Sequence, residues 1–308
     1  MSIGAILTWT LLHWWVEVRM GKCLIREVEA NGMVFRARFT GAEAPSSEPV
    51  ILLHGFPETS IMWVGLMERL GEEGYRCFAP DQRGYSPGAR RGTVEEYEYR
   101  KLVSDVMAQA DALGCARFHL IGHDWGSAVG WALLHQHPDR VRSWTAMSVP
   151  HMDAFASAIA DDPDQRERSR YMGFFMLPEK PEQSLTADDF AALRSLWSSI
   201  PAEQVEEYVS VFSQPGALTA ALNWYRANTV LLEKRREGPK FGPVQHPTLL
   251  LWGNQDIAVG RVAIERTVQY MKGPYRLVEL NAGHWLVQEE PERVHDEILR
   301  HLRTNRLQ

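Results

Sequence analysis

Apolar and polar residues alternate in two short runs, 24–29 and 33–39, around Asn31-Gly32, a dipeptide that supplies the positive φ angles of a tight hairpin turn. The pattern therefore opens with an antiparallel hairpin. Beyond it the alternation gives way to short continuous apolar runs at 50–53, 75–79, 118–121 and 141–148. Helical spacing fills the gaps; between 95 and 113, for instance, Leu102, Val106, Ala110 and Leu113 recur on one face. Strands apolar on both faces, alternating with amphipathic helices, predict a mostly parallel sheet with helices on both sides, the α/β class.

From 151 to 244 the strand signal stops. Pro163, Pro178, Thr186-Ala187-Asp188-Asp189, Pro201 and Pro215-Gly216 punctuate this stretch as helix starts and stops. Strands resume at 248–252 and 275–280, and a last helix follows over 291–302. The predicted organisation is an α/β core at 23–150 and 245–308, and an apolar extension at 1–22. A helical cap, or lid, is inserted at 151–244 over the strand ends, where open sheets bind ligands. There is no internal repeat and no low-complexity segment.

Chemistry enters at Gly122-His123-Asp124-Trp125-Gly126, directly after the predicted strand 118–121 and before a helix-forming stretch. Flanking glycines allow a sharp strand-to-helix turn that holds one side chain above the sheet. That side chain is Asp124. Alone, it also reads as an aspartate stabilised at a helix N-terminus. Leu251-Trp252-Gly253-Asn254-Gln255-Asp256 puts a second acid just past a strand, and Asn281-Ala282-Gly283-His284-Trp285 puts a histidine past the next. Asp256 could instead cap a helix near Val259, and loop histidines often bond only backbone. Three such residues at three strand ends, in the order nucleophile, acid, histidine, favour a catalytic triad. Leu53-His54-Gly55-Phe56-Pro57 follows the first parallel strand; the backbone N–H groups of Phe56 and Trp125 are the candidate oxyanion hole, and His54 is assigned a structural role.

Together with Asp81-Gln82-Arg83-Gly84-Tyr85, these motifs resemble the epoxide hydrolase and haloalkane dehalogenase branch of the α/β-hydrolases over nearly the whole chain after the N-terminal extension. The resemblance implies the α/β-hydrolase fold with an inserted cap. An aspartate nucleophile also restricts the substrate. Attack by a carboxylate on a saturated carbon gives an alkyl ester whose carbonyl belongs to the enzyme, and water can attack that carbonyl; a serine ether would be a dead end. The expected substrate is thus an alkylating electrophile.

A departing halide needs N–H donors, whereas an epoxide oxygen needs an acid. In the dehalogenase pattern an asparagine often supplies the second donor, and here Phe56 stands in its place. The family's epoxide hydrolases use two lid tyrosines, and the resemblance assigns Tyr171, in Arg170-Tyr171-Met172-Gly173-Phe174-Phe175, and Tyr225, in Leu222-Asn223-Trp224-Tyr225-Arg226. Phe174 and Met176 depart from the tyrosine and glutamine of better-known members, which leaves the alignment at Tyr171 open. Gly126-Ser127-Ala128-Val129 lacks the arginine that fluoroacetate dehalogenases carry after the nucleophile. Phe56, Trp125, Phe175 and Trp285 are candidate substrate contacts, and the abundance of Phe, Trp and Met near the motifs suits an apolar substrate. The expected reaction is hydrolysis of an epoxide to a vicinal diol. Alternatives are a haloalkane dehalogenase or other aspartate-nucleophile hydrolase, and a non-catalytic binder of apolar ligands.

A net charge of −6 over 308 residues, with Lys and Arg dispersed, speaks against a nucleic-acid partner. Cys23, Cys77 and Cys115 form neither a disulfide framework nor a metal knuckle, so the expected compartment is the cytoplasm, with no metal site. No phosphate loop or dinucleotide fingerprint occurs, and no cofactor is expected. The apolar run 3–16, with Trp9, Trp14 and Trp15, lacks a signal peptide's basic start and is shorter than the roughly 20 residues of a membrane span. Burial against the domain, burial in a homodimer, or a peripheral membrane contact would each account for it.

Overall fold

The computed structural model describes residues 18–20, 23–41, 47–234 and 241–306. In chain order the elements are β1 (Val18–Met20), β2 (Cys23–Ala30), β3 (Met33–Thr40), β4 (Pro49–Leu53), α1 (Val64–Glu72), β5 (Arg76–Pro80), α2 (Tyr99–Ala112), β6 (Phe118–His123), α3 (Trp125–Gln136) and β7 (Val141–Met147). Helices α4 (Met152–Asp161), α5 (Pro163–Arg168), α6 (Arg170–Phe175), α7 (Lys180–Leu196), α8 (Ala202–Phe212) and α9 (Ala217–Lys234) follow, with no strand among them. The chain ends with β8 (Thr248–Gly253), α10 (Arg261–Arg266), β9 (Tyr275–Leu280), α11 (Leu286–Glu289) and α12 (Pro291–Thr304).

The strands form one sheet in the order β1-β2-β3-β5-β4-β6-β7-β8-β9. β1, β2, β3 and β5 pair antiparallel in succession, and from β5 across to β9 every pairing is parallel. Asn31 and Gly32 turn the β2–β3 hairpin with φ of 52° and 66°. β6 and β8 are buried along their whole length, as strands covered on both faces must be, whereas the edge strand β9 is only partly covered. On α12, Val294, Ile298, Leu299 and Leu302 share the buried face, each contributing roughly 1.5–3 kcal/mol relative to exposure. Because β4 lies between β5 and β6, the chain reverses direction across the sheet there, and the loops after β4 and β6 open beside one another at the carboxyl edge.

Three local readings change. Residues 18–20, assigned to the apolar extension, form a strand paired with β2; the run 3–16 lies outside the described residues. The helix expected over 95–113 is divided: a 3-10 turn at Val94–Tyr97 is separated from α2 by Glu98, whose ψ of 147° is extended. Asn228 of α9 fixes the break, accepting from Tyr99 N at 2.9 Å and donating to Tyr97 O at 2.9 Å. Thr186 to Asp189, expected to start a helix, interrupts α7 instead, with Ala187 extended and Asp188, Asp189 and Phe190 at φ of 50–61°.

Candidate active site

Asp124 sits at the junction of β6 and α3 with φ 50° and ψ −118°, a conformation costing a non-glycine residue on the order of 1–3 kcal/mol. Backbone bonds hold it there: Asp124 N donates to Met147 O at 3.3 Å, and Ala128 N donates to Asp124 O at 3.0 Å. Gly126 makes the turn sterically feasible, since a Cβ there would lie 2.0 Å from the carbonyl oxygen of Leu53. Gly55 lets the β4 loop approach, since a Cβ there would stand 2.4 Å from Asp124 Oδ1. Phe56 N consequently donates to that oxygen at 2.8 Å. The other expected donor, Trp125 N, lies in the first turn of α3, where amides have no partner within the helix.

His284 and Asp256 converge on the same carboxylate. His284 Nδ1 lies 2.9 Å from Asp256 Oδ2, while its Nε2 stands 3.6 Å from Asp124 Oδ2. Asp256 does not cap a helix, because α10 begins only at Arg261. Its Oδ1 accepts instead from Ala258 N at 2.7 Å and Val259 N at 3.0 Å, which fixes Oδ2 toward the imidazole. Burial alone would raise the Asp124 carboxyl; the approach of His284, the nearby His123 and the Phe56 N–H together hold it below its ordinary value. Burial would likewise lower His284, but the two flanking carboxylates push it well above the usual imidazole range.

From the helical insert, Tyr171 on α6 and Tyr225 on α9 reach the same space. Their ring centroids are 6.1 Å apart, and the Trp125 ring packs edge-on against Tyr225 at 4.9 Å. Burial first, and the Asp124 charge after it, raise both phenols, so both stay protonated at neutral pH. With Asp124 and Trp125 they line a cavity of about 410 Å³, counting its open mouth. The other expected substrate contacts are not in that wall: Phe56 and Phe175 lie 5.6 and 5.0 Å from Tyr225, and the Trp285 ring lies 5.3 Å from His284. Apolar lining comes instead from residues such as Val149, Met152, Phe155 and Met172, which lie outside the recognised motifs except for Met172.

The buried support beneath His284 has no signature in the sequence. His123 Nε2 and Ser148 Oγ each approach the His284 carbonyl oxygen at 2.9 Å. The other nitrogen of His123 is 3.1 Å from Glu58 Oε2, an ion-pair separation without hydrogen-bond alignment. Glu58, fully buried, accepts from Gln288 Nε2 at 2.6 Å and from the Tyr208 hydroxyl of α8 at 3.2 Å. Glu58 directly follows the Phe56-Pro57 segment, but no spacing connects positions 58, 123, 208 and 288. His54 is structural as expected: Gln82 N donates to its Nε2 at 3.0 Å, leaving Nδ1 protonated toward Gly55 O, and burial lowers its pKa.

A strand-end carboxylate, a histidine and a second acid on a mostly parallel sheet define a class, and residues 48–291 match the family described as alpha/beta hydrolase fold. The chain belongs to that family. Within it, the chain is 33% identical over 282 residues to epoxide hydrolase 4 of Mus musculus, covering 88% of this chain and 76% of that protein. It is 32% identical to the AB hydrolase superfamily protein YfhM of Bacillus subtilis, covering 90% and 96%. Among solved structures, epoxide hydrolase A of Mycobacterium thermoresistibile superposes with a TM-score of 0.78 at 30% identity, covering 93% of this chain and all of that one.

Proposed function

We propose that this chain hydrolyses an epoxide to a vicinal diol through a covalent ester on Asp124. The observation that carries the reading is the meeting, in one largely apolar cavity, of an ionised carboxylate and two protonated phenols from the insert, which we read as the cap. Asp124 Oδ2, the oxygen not held by Phe56, attacks an epoxide carbon. The C–O bond breaks, and the departing alkoxide takes a proton from Tyr171 or Tyr225. The attack also removes the negative charge that raised both phenols and His284. His284 then releases its proton, the tyrosinate recovers one through solvent, and the neutral imidazole deprotonates a water that adds to the ester carbonyl. The oxygen facing Phe56 N carries the charge of the tetrahedral intermediate, with Trp125 N as second donor. Collapse returns the Asp124 carboxylate and frees the diol.

A dehalogenase would hold the departing halide with N–H donors, whereas the insert brings two phenol hydroxyls into the cavity with Asp124. Incubation with styrene oxide and with a bromoalkane decides the matter: diol without bromide is expected, and bromide release without diol would overturn the reading. Among the described residues no helix is long and apolar enough to cross a membrane. We place the protein in the cytoplasm on its three buried free cysteines, with no nucleic-acid partner. The apolar N-terminal run is read as buried against protein, in this chain or in a homodimer. Deleting residues 1–15 should lower stability or change the oligomeric state and leave diol formation intact; full-length protein recovered only from detergent-extracted membranes would contradict that.

A further inference from the structure

The two flanks of Asp124 differ in the space they leave. On one flank lies the cavity, whose wall beyond the tyrosines is formed by Ala128, Val149, Met152, Phe155, Met172 and Val259. Outside that wall, beside Asp124 Oδ1, which its N–H binds at 2.8 Å, stands Phe56, whose ring centroid is 5.5 Å from Phe175, 5.6 Å from Tyr225 and 6.0 Å from Phe212. Tyr85 continues this wall, 5.9 Å from Phe212, and Trp197 stacks on Phe212 at 6.4 Å. All of these rings are buried. Aromatic rings with centroids about 5–6 Å apart in edge contact already touch, so no substituent fits between them.

An epoxide that offers its oxygen to Tyr171 and Tyr225 and one carbon to Asp124 directs the substituents of its two carbons to opposite flanks. We infer that this chain selects terminal epoxides, with a single apolar arm lying along Met152, Phe155 and Met172 and the unsubstituted CH₂ turned toward the Phe56–Phe175 wall. The inference rests on the epoxide reading and narrows it. A wall of small and medium-sized apolar side chains suits an arm of one aromatic ring or a short alkyl chain. None of the six wall residues carries a charge, so an ionised arm would lose its hydration without a partner.

The test is kcat/KM for propylene oxide, styrene oxide and trans-stilbene oxide. Diol should form from the first two, with trans-stilbene oxide more than about 10-fold poorer than styrene oxide, at least the discrimination that one ill-fitting methylene gives. Phe175→Ala removes part of the filled wall and should raise trans-stilbene oxide relative to styrene oxide by at least about 10-fold. Met152→Trp narrows the open arm and provides an independent check if the first variant does not fold; it should depress styrene oxide relative to propylene oxide. Trans-stilbene oxide within about 10-fold of styrene oxide in the unaltered protein, or ratios unmoved in the folded variants, would overturn the inference. Diol from none of the three, small propylene oxide included, would instead overturn the epoxide reading beneath it.

Discussion

On the sheet side of the cavity, Asp124, Asp256 and the His284 carbonyl are each held by directed hydrogen bonds, several of them to backbone groups. On the insert side, Tyr225 is held chiefly by rings: Trp125 at 4.9 Å, Phe175 at 5.0 Å and Phe56 at 5.6 Å, with Tyr171 beyond. Directed bonds fix positions to within tenths of an ångström; ring packing fixes an orientation and tolerates small shifts. The division follows the chemistry. The carboxylate, imidazole and second acid must keep their geometry through two successive steps, whereas the phenols must follow an oxygen that moves as the epoxide opens.

If the sheet side carries the second step alone, His284→Phe should show the largest effect, with turnover falling by about 10⁴-fold or more as for other nucleophile–base pairs. The variant should nevertheless be alkylated once, giving a protein heavier by one substrate with the added mass on the peptide containing Asp124. Loss of adduct along with turnover would mean that the division between steps is wrong. On the insert side a smaller loss is expected: Tyr225→Phe should slow alkylation about 10- to 1000-fold, the usual worth of general-acid help, with Tyr171 supplying the remainder. Unchanged rates in both single variants and the double variant would remove the phenols from the mechanism.

A third test concerns the charge that links the two sides. Asp124→Asn imitates the neutral ester, so the imidazole of His284, raised well above 6.5 in the unaltered protein, should titrate at a lower pH when followed by NMR. An unchanged or higher value would show that Asp124 does not control the histidine. The sign also fixes the pH window of the pair. Stabilisation from His284 is complete below its unfolded value of about 6.5 and is lost as pH rises through the higher folded value. Stabilisation from Asp124 is present above about 3.8 and is lost as pH falls through its lowered folded value. In the active enzyme, single-turnover alkylation should therefore hold its rate on acidification down to about pH 3.8.

Legibility in the sequence divides along the same line. The sheet side writes itself in residues that backbone geometry demands: Gly122 and Gly126 around Asp124, Gly55 under its carboxylate, acid and histidine past consecutive strands. Those positions, and the strands that carry them, follow from spacing and turn chemistry alone. Only resemblance singles out Tyr171 and Tyr225, because a tyrosine on a helical face looks the same whether its hydroxyl meets solvent, backbone or substrate. Met152, Phe155 and Val149 left no signal of their own, since side chains that line a cavity share the periodicity of those that fill a core. The Glu58–His123–Tyr208 contacts join three distant segments, and only the fold brings them together.

The central claim is that the carboxylate of Asp124, and not water, makes the first bond to the epoxide, and a single turnover of excess enzyme in heavy-oxygen water tests it directly. If Asp124 attacks, the new diol oxygen comes from its carboxylate. Mass spectrometry should then find the diol unlabelled and one heavy oxygen in the peptide that carries Asp124. Heavy oxygen appearing in the diol from that first turnover, with the Asp124 peptide unlabelled, would mean that water opens the epoxide in one step and that Asp124 serves only as a base.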